Sequence, residues 1–227
     1  MIAGSRQGIG RALAEHYVGR GHTVFGLSRR PSDLVHERYH HICADVTDGK
    51  MVHQAFARIS ESGLPIDVLV YCAGVKTSSY VLLTREEDAA TMLRTSLLGA
   101  FLVTRDAVRL MKRNGFGRFI YISSVLVPLG DPGSVIYGVS HAGLQQLAFA
   151  LAHEFPLDNI TFNALGLSIF PTPMTAAVSE RVLNETRAGL IKKQDMEVDE
   201  VAGAIDFLAS DAARQITGQT IYFGGVR

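Results

Sequence analysis

The stretch Ala3-Gly4-Ser5-Arg6-Gln7-Gly8-Ile9-Gly10 decides how this chain is read. Three glycines lie between a short apolar strand end and a helical pattern that runs from Gly8 to Arg20. Gly4 permits a tight turn, Gly8 lets a phosphate approach the backbone, and Gly10 lets the helix pack close to a sheet. The helix N-terminus then offers unpaired N–H groups to a pyrophosphate. Gly4, Ser5, Arg6, Gly8, Ile9 and Gly10 are therefore candidate cofactor-binding residues. The spacing is Gly-x-x-x-Gly-x-Gly rather than Gly-x-Gly-x-x-Gly, and glycine turns before helices are common, so the rest of the chain must support the reading. Only Met1 and Ile2 precede Ala3, so the first strand is expected to be unusually short unless the chain starts late.

Outward from that loop, short apolar runs alternate with helical patterns. Thr23 to Leu27, Val68 to Tyr71, Phe119 to Ile122, Ile160 to Ala164 and Thr220 to Phe223 are short, β-branched or aromatic, and apolar on both faces. A parallel sheet covered on both sides requires such strands. Gly8 to Arg20, Gly49 to Ser62, Thr95 to Lys112, Tyr137 to Phe155 and Val198 to Ser210 read as the helices between them. Repeated βαβ units predict an α/β fold: one domain over 1–227, with a doubly wound parallel sheet of about seven strands and helices on both faces. The segment 168–197 interrupts the alternation, beginning Ser-Ile-Phe-Pro-Thr-Pro-Met and turning helical around Glu180 to Lys192. It is either a lid over a site or an ordinary surface helix pair.

Composition excludes several classes. Hydrophobic residues make up 47% and charged residues 19%, so the chain is not disordered. No apolar run approaches the roughly 20 residues of a membrane span, and no signal peptide is evident. The 22 basic and 22 acidic residues balance, which gives no general field for nucleic acid or an anionic membrane. Cys43 and Cys72 lie in no metal or redox spacing, so a reducing cytoplasm is expected. His40 and His41 would point to opposite faces of a strand, and no metal site is expected.

The glycine loop resembles that of the classical short-chain dehydrogenase/reductase family, and the likeness continues in order over essentially the whole chain. Asp45-Val46 looks like the pair that contacts adenine. Cys72-Ala73-Gly74 occupies the family's Asn-Ala-Gly position. Ser124 lies thirteen residues before Tyr137, the family's spacing for its catalytic serine and tyrosine. Asn163-Ala164, Phe170 and Thr172 follow as expected, the last two beside the cofactor, and Ile216-Thr217-Gly218-Gln219 is a further signature. The resemblance implies a Rossmann fold and hydride transfer between a nicotinamide and a carbonyl carbon. Members that use NAD place a carboxylate at the end of the second strand. This chain has Ser28-Arg29-Arg30 there, with no acid until Asp33. Arg29 suits a 2′-phosphate, and Arg6 points the same way, so NADPH is expected over NADH.

The reaction centre departs from the family's pattern. A free tyrosine has a pKa near ~10, and bringing it to neutrality takes roughly 4 kcal/mol of preferential phenolate stabilisation. The family supplies this with a lysine four residues later, which also holds the nicotinamide ribose. Here the sequence is Tyr137-Gly138-Val139-Ser140-His141. His141 shares the helix face but is only partly charged at neutral pH. Ser96 stands where the family has a helix asparagine that anchors a water of the proton relay. Leu167-Ser168 replaces Pro-Gly, Ala3 replaces threonine, and Tyr71-Cys72 replaces two asparagines. Ser124, Tyr137, His141 and Ser96 are the candidate catalytic residues. Reduction demands less of the missing lysine than oxidation, because a neutral tyrosine is already a competent proton donor.

The expected activity is NADPH-dependent reduction of a ketone to a secondary alcohol. The C-terminal half, with Met174-Thr175 and Phe207-Leu208-Ala209-Ser210-Asp211, most resembles 3-oxoacyl-carrier-protein reductases, which implies a 3-oxoacyl thioester or a free small ketone. Lys112, Arg113, Arg118, Lys192 and Lys193 are candidates for a basic patch that docks an acidic carrier protein. The helices 95–112 and 137–155 carry apolar residues on more than one face, covered either by another subunit or by the molecule's own loops. The resemblance implies a homo-tetramer or dimer built on them. Two alternatives remain: a non-redox isomerase, dehydratase or cyclase on the same scaffold, and an inactive subunit that pairs with an active relative in a hetero-oligomer.

Overall fold

A computed structural model describes residues 1–226. Strands and helices alternate along the chain as β1 Ile2–Ala3, α1 Gly8–Gly19, β2 Val24–Ser28, β3 Tyr39–Cys43, α2 Gly49–Glu61, β4 Val68–Tyr71, α3 Glu86–Leu93 and α4 Gly99–Asn114. They continue as β5 Gly117–Ser124, α5 Leu126–Leu129, α6 Val135–Glu154, β6 Ile160–Leu167, α7 Pro173–Ala176, α8 Glu180–Ala188, α9 Val198–Ala209 and β7 Thr220–Tyr222. All seven strands join one parallel sheet in the order β3-β2-β1-β4-β5-β6-β7. The order reverses between β1 and β4, which opens a crevice beyond the carboxyl ends of these strands.

β1 is as short as the sequence implies, yet it holds the centre. Ile2 pairs with Gly26 on one side and Val70 on the other, and Ala3 with Leu27 and Tyr71. β5 and β6 are the long central strands, eight residues each and buried throughout. Both faces of the sheet are covered. Val52, Phe56, Val103, Met111 and Leu144 of α2, α4 and α6 form one core. Leu13 and Val18 of α1 pack with Val201, Ile205 and Leu208 of α9 in the other. Each fully buried Leu, Phe or Met contributes roughly 2 kcal/mol through its apolar area. The doubly wound parallel sheet is therefore as expected.

Several boundaries differ from the sequence reading. The helix expected from Thr95 starts at Glu86 and passes through a π-helical turn, Arg94–Leu98, into α4. β6 runs on to Leu167, because its last residues still pair with β5 and β7. Segment 168–197 holds two short helices, and α8 ends at Ala188, where the chain turns so that Leu190 can bridge to Val226.

The basic residues considered for carrier docking do not form one exposed patch. Arg118 is fully buried at the start of β5. Its guanidinium donates to the carbonyls of Gly117 and Asn159 and stacks 4.1 Å from the centroid of Phe116. Lys112 is paired with Asp158 at 3.2 Å. Arg118 is thus an internal cap on the β5–β6 edge rather than a docking group.

Candidate active site

The crevice encloses about 390 Å³ and runs from the glycine loop to Tyr137. Gly4 has φ +90, and a Cβ there would sit 2.7 Å from the Ala73 nitrogen. The turn is therefore possible only without a side chain. A Cβ on Gly10 would approach the Gly4 carbonyl oxygen to 2.4 Å, so α1 can abut the loop only because residue 10 has none. The first turn of α1 has no side-chain cap and no acidic residue, which leaves its N–H groups for an anion. Gly4, Arg6, Gly8 and Ile9 line the crevice, as do Asp45, Val46, Cys72, Ala73 and Gly74 farther along. Ser5 and Gly10 lie beneath it. Ser5 is fully buried and bonded to the Tyr39 hydroxyl at 2.9 Å.

That bond begins a chain with no signature in the sequence pattern. Tyr39 Oη lies 2.9 Å from His41 Nδ1, and His41 Nε2 lies 3.1 Å from the Arg30 carbonyl and 3.2 Å from Ser28 Oγ. The Arg30 carbonyl also accepts from Ser28 Oγ at 2.7 Å. A carbonyl only accepts, so Nε2 carries the imidazole proton, Nδ1 accepts from Tyr39, and Tyr39 accepts from Ser5. A Cβ on Gly26 would overlap both Tyr39 Oη and Ser5 Oγ, so the chain crosses β2 through that glycine. The result is a fixed Ser28-Arg29-Arg30 turn, all three residues of which line the crevice. Burial pulls the His41 imidazole below its ordinary pKa, so it is neutral at physiological pH. The first carboxylate beyond β2, Asp33, is bound by Arg11 of α1 and held below the usual carboxylate range by it.

At the other end, β5 delivers Ser124 and α6 delivers Tyr137 to one place. Burial pushes the Tyr137 phenol up to about 12, and the nearby Ser124 hydroxyl opposes the shift. Ser124 Oγ also accepts from the Leu126 N–H at 3.1 Å, which fixes its rotamer. His141 follows one turn after Tyr137, its ring centroid 4.1 Å away. It is 6% exposed, and neither ring nitrogen has a hydrogen-bond partner. Burial pulls its pKa down to about 4, with a smaller push in the same direction from Lys76; the Ile122 carbonyl, short of hydrogen-bond geometry, opposes them. His141 is therefore a neutral base and not the partly charged group its type suggests.

Ser96 is fully buried, and its Oγ also lacks a partner. A Cβ on Gly74 would lie 3.4 Å from Ser96 Oγ and 3.9 Å from His141 Nε2, so both polar atoms converge under Gly74. Ser96 belongs to the π-helical turn, and such turns recur at functional sites. The neighbouring Thr95 carbonyl is taken by the Tyr71 hydroxyl at 2.5 Å. Tyr71, at a position where the family has asparagine, thus pins the turn that presents Ser96. Phe170 and Thr172 line the crevice, Thr172 beside Gly8, and Thr172 caps the N-terminus of α7 through a capping box with Thr175. Gln7, Thr95, Ser123 and Ser168, not among the candidate site residues, also line it. Among the described residues no cluster could hold a metal ion, and no helix is long and apolar enough to cross a membrane.

Unpartnered buried atoms under Gly74, an uncapped helix terminus and a loop that excludes side chains together fit a dinucleotide. Comparison with known proteins agrees. Residues 3–225 match the family model described as Enoyl-(Acyl carrier protein) reductase. The 3-oxoacyl-[acyl-carrier-protein] reductase MabA of Mycobacterium tuberculosis is 34% identical over 225 residues, spanning 99% of this chain and 90% of that protein. The 3-oxoacyl-[acyl-carrier-protein] reductase FabG of Escherichia coli is 29% identical over 235 residues, spanning 99% and 95%. Among solved structures, a candidate gluconate dehydrogenase from Agrobacterium tumefaciens superposes with a TM-score of 0.90 at 27% identity, covering 99% of this chain and 93% of that one. A 4-hydroxyisoleucine dehydrogenase complexed with NADH gives 0.87 at 22% identity, covering 99% and 96%, a likeness of fold.

Proposed function

This chain belongs to the short-chain dehydrogenase/reductase family of oxidoreductases, close to its 3-oxoacyl-[acyl-carrier-protein] reductases, and we propose that it reduces a ketone to a secondary alcohol with NADPH. The observation that carries this reading is the shared crevice: the Ser124 and Tyr137 hydroxyls, the converging His141 and Ser96, and the glycine loop all open on one groove or lie directly beneath it.

When bound, the cofactor supplies the hydride for the carbonyl carbon. The α1 N-terminus and the Gly4–Gly10 loop bind its pyrophosphate, Asp45 and Val46 its adenine, and Phe170 and Thr172 flank its nicotinamide end. Arg29 and Arg6 bind the 2′-phosphate, with Arg30 held alongside by the His41 chain. Asp33 competes little for that position, because Arg11 already occupies it. Ser124 donates a hydrogen bond to the substrate oxygen and Tyr137 donates the proton. A phenol pushed up to about 12 is neutral across the physiological range, which suits a donor in the reductive direction. His141 and Ser96 offer free polar atoms to a ribose hydroxyl and to a water that refills the tyrosine's proton. The segment 168–197 folds over the nicotinamide end as a lid. The substrate is a 3-oxoacyl thioester or a small free ketone. Leu98 in the turn before α4, Phe101 on α4, and Val135 and Val139 on α6 are exposed and apolar, which supports assembly through those helices.

Nucleotide titration and a ketone panel followed at 340 nm test the reading together. NADPH should bind at least ~10-fold tighter than NADH, and Arg29→Ala should remove most of that preference. Tyr137→Phe should lower kcat by ~10²-fold or more with NADPH affinity retained. A chain that binds neither nucleotide, or a Tyr137→Phe variant at full turnover, would overturn it. Binding without turnover on any ketone would instead favour the isomerase, dehydratase or inactive-subunit readings.

A further inference from the structure

The cation expected one helical turn after Tyr137 is missing. His141 stands there, buried, unpartnered and neutral, so it lends the tyrosine no positive charge. A cation nevertheless reaches Tyr137 from another element. Lys76, two residues after Gly74 in the loop that follows β4, lies with Nζ over the Tyr137 ring, 5.2 Å from its centroid. Its side chain is partly buried, and burial lowers its pKa while Asp131 raises it. The loop is tied across the site mouth to the turn before α6, and that turn is itself held by an internal bond. The Ser79 N–H donates to the Gly133 carbonyl at 2.9 Å, and Ser134 Oγ donates to Asp131 at 3.0 Å.

We propose that Lys76 is the cation that tunes the acidity of Tyr137, acting on the phenol through its ring from the loop after β4. This rests on the reading of Tyr137 as proton donor, and Lys76 is a positioning residue for that step. An ammonium over an aromatic face is drawn to the ring's negative quadrupole. As the phenol releases its proton to the carbonyl oxygen, negative charge spreads from the oxygen into the ring. The attraction to the ammonium therefore strengthens as the proton leaves. The groups that face Tyr137 are Ser124 from β5, His141 from its own helix and Lys76 from the β4 loop. Those that face Lys76 are Asp131, Tyr137 and His141. A charged imidazole at residue 141 would repel Lys76 across the tyrosine, so a neutral histidine and a loop lysine are compatible where two cations would conflict.

Two measurements on the intact chain test this, one without turnover. NMR of the His141 ring follows its titration in the chain, in Lys76→Met and in Lys76→Arg. Loss of the charge should raise the His141 midpoint in Lys76→Met, and Lys76→Arg should leave it near the starting value. The pH profile of ketone reduction is then recorded for the NADPH-loaded enzymes. Lys76→Met should lower kcat by about 10-fold or more with KM changed by less than about 3-fold. Lys76→Arg should recover most of the loss, as should His141→Lys placed in the Lys76→Met background. An unmoved His141 titration overturns the proposal whether or not the chain turns over. So does a Lys76→Met variant with the kcat and pH profile of an active parent. A parent chain that reduces no ketone refutes the reductase reading, and the titration alone then decides whether Lys76 holds this charge.

Discussion

At the residue scale, His141 is a group whose chemistry is set by burial rather than by type. Its pKa falls from the ordinary ~6.5 to about 4 in the fold, so the unfolded chain binds the proton first as pH drops. Stability from keeping it neutral is present above pH ~6.5 and is lost as pH falls toward 4, up to about 3 kcal/mol. His41 shifts in the same direction and adds to the loss. His141→Leu is expected to lose less urea stability between pH 7 and pH 4.5 than the parent, what remains coming from His41 and from the buried Met1 amino group, which burial pulls down to about 5. The parent should lose clearly more, and equal acid sensitivity in both would contradict a buried neutral imidazole. The position of His141 was legible from its spacing to Tyr137. Its neutrality was not, because desolvation depends on what packs around the ring. Lys76 left no trace in the sequence for a similar reason: its contact with Tyr137 joins residues sixty-one apart on a loop and a helix.

At the scale of elements, the strand and helix alternation was legible because buried parallel strands are apolar on both faces. The boundaries that moved are those set by tertiary partners. The π-helical turn at Arg94–Leu98 has no pattern of its own, and the Tyr71 hydroxyl takes the carbonyl of Thr95 within it. The Ser5–Tyr39–His41 chain escaped notice because each link joins a different element, and only Gly26 lets them meet. The junction of the glycine loop with α1 gives a direct test. Gly10→Ala forces a Cβ against the Gly4 carbonyl, and overpacking of this kind costs about 1–3 kcal/mol. The helix must retreat from the loop, so NADPH affinity should fall by ~10-fold or more while Gly19→Ala, where a Cβ meets nothing within 4 Å, should leave it unchanged. Equal binding by both variants would show that close helix approach does not matter to the nucleotide.

At the scale of the whole molecule, strand order makes the site. The reversal between β1 and β4 separates the loops that follow them, and Ser124 on β5 and Tyr137 on α6 face the space so opened. Each of these residues is ordinary alone; their joint exposure to one groove follows from topology. Leu98, Phe101, Val135 and Val139, on the turn before α4, on α4 and on α6, are also exposed and apolar. Sedimentation should accordingly find a dimer or tetramer, which Phe101→Glu with Val139→Glu would dissociate; a monomer at micromolar concentration would contradict assembly through these helices. The proposed reaction requires a nicotinamide ring docked beside the hydroxyls of residues 124 and 137. The most direct test is a crystal structure of the chain soaked with NADP⁺. It should show the 2′-phosphate at Arg29 and the nicotinamide C4 within ~4 Å of where a carbonyl carbon bonded to Tyr137 and Ser124 would sit. A nucleotide bound elsewhere, or a nicotinamide turned away from Tyr137, would contradict it.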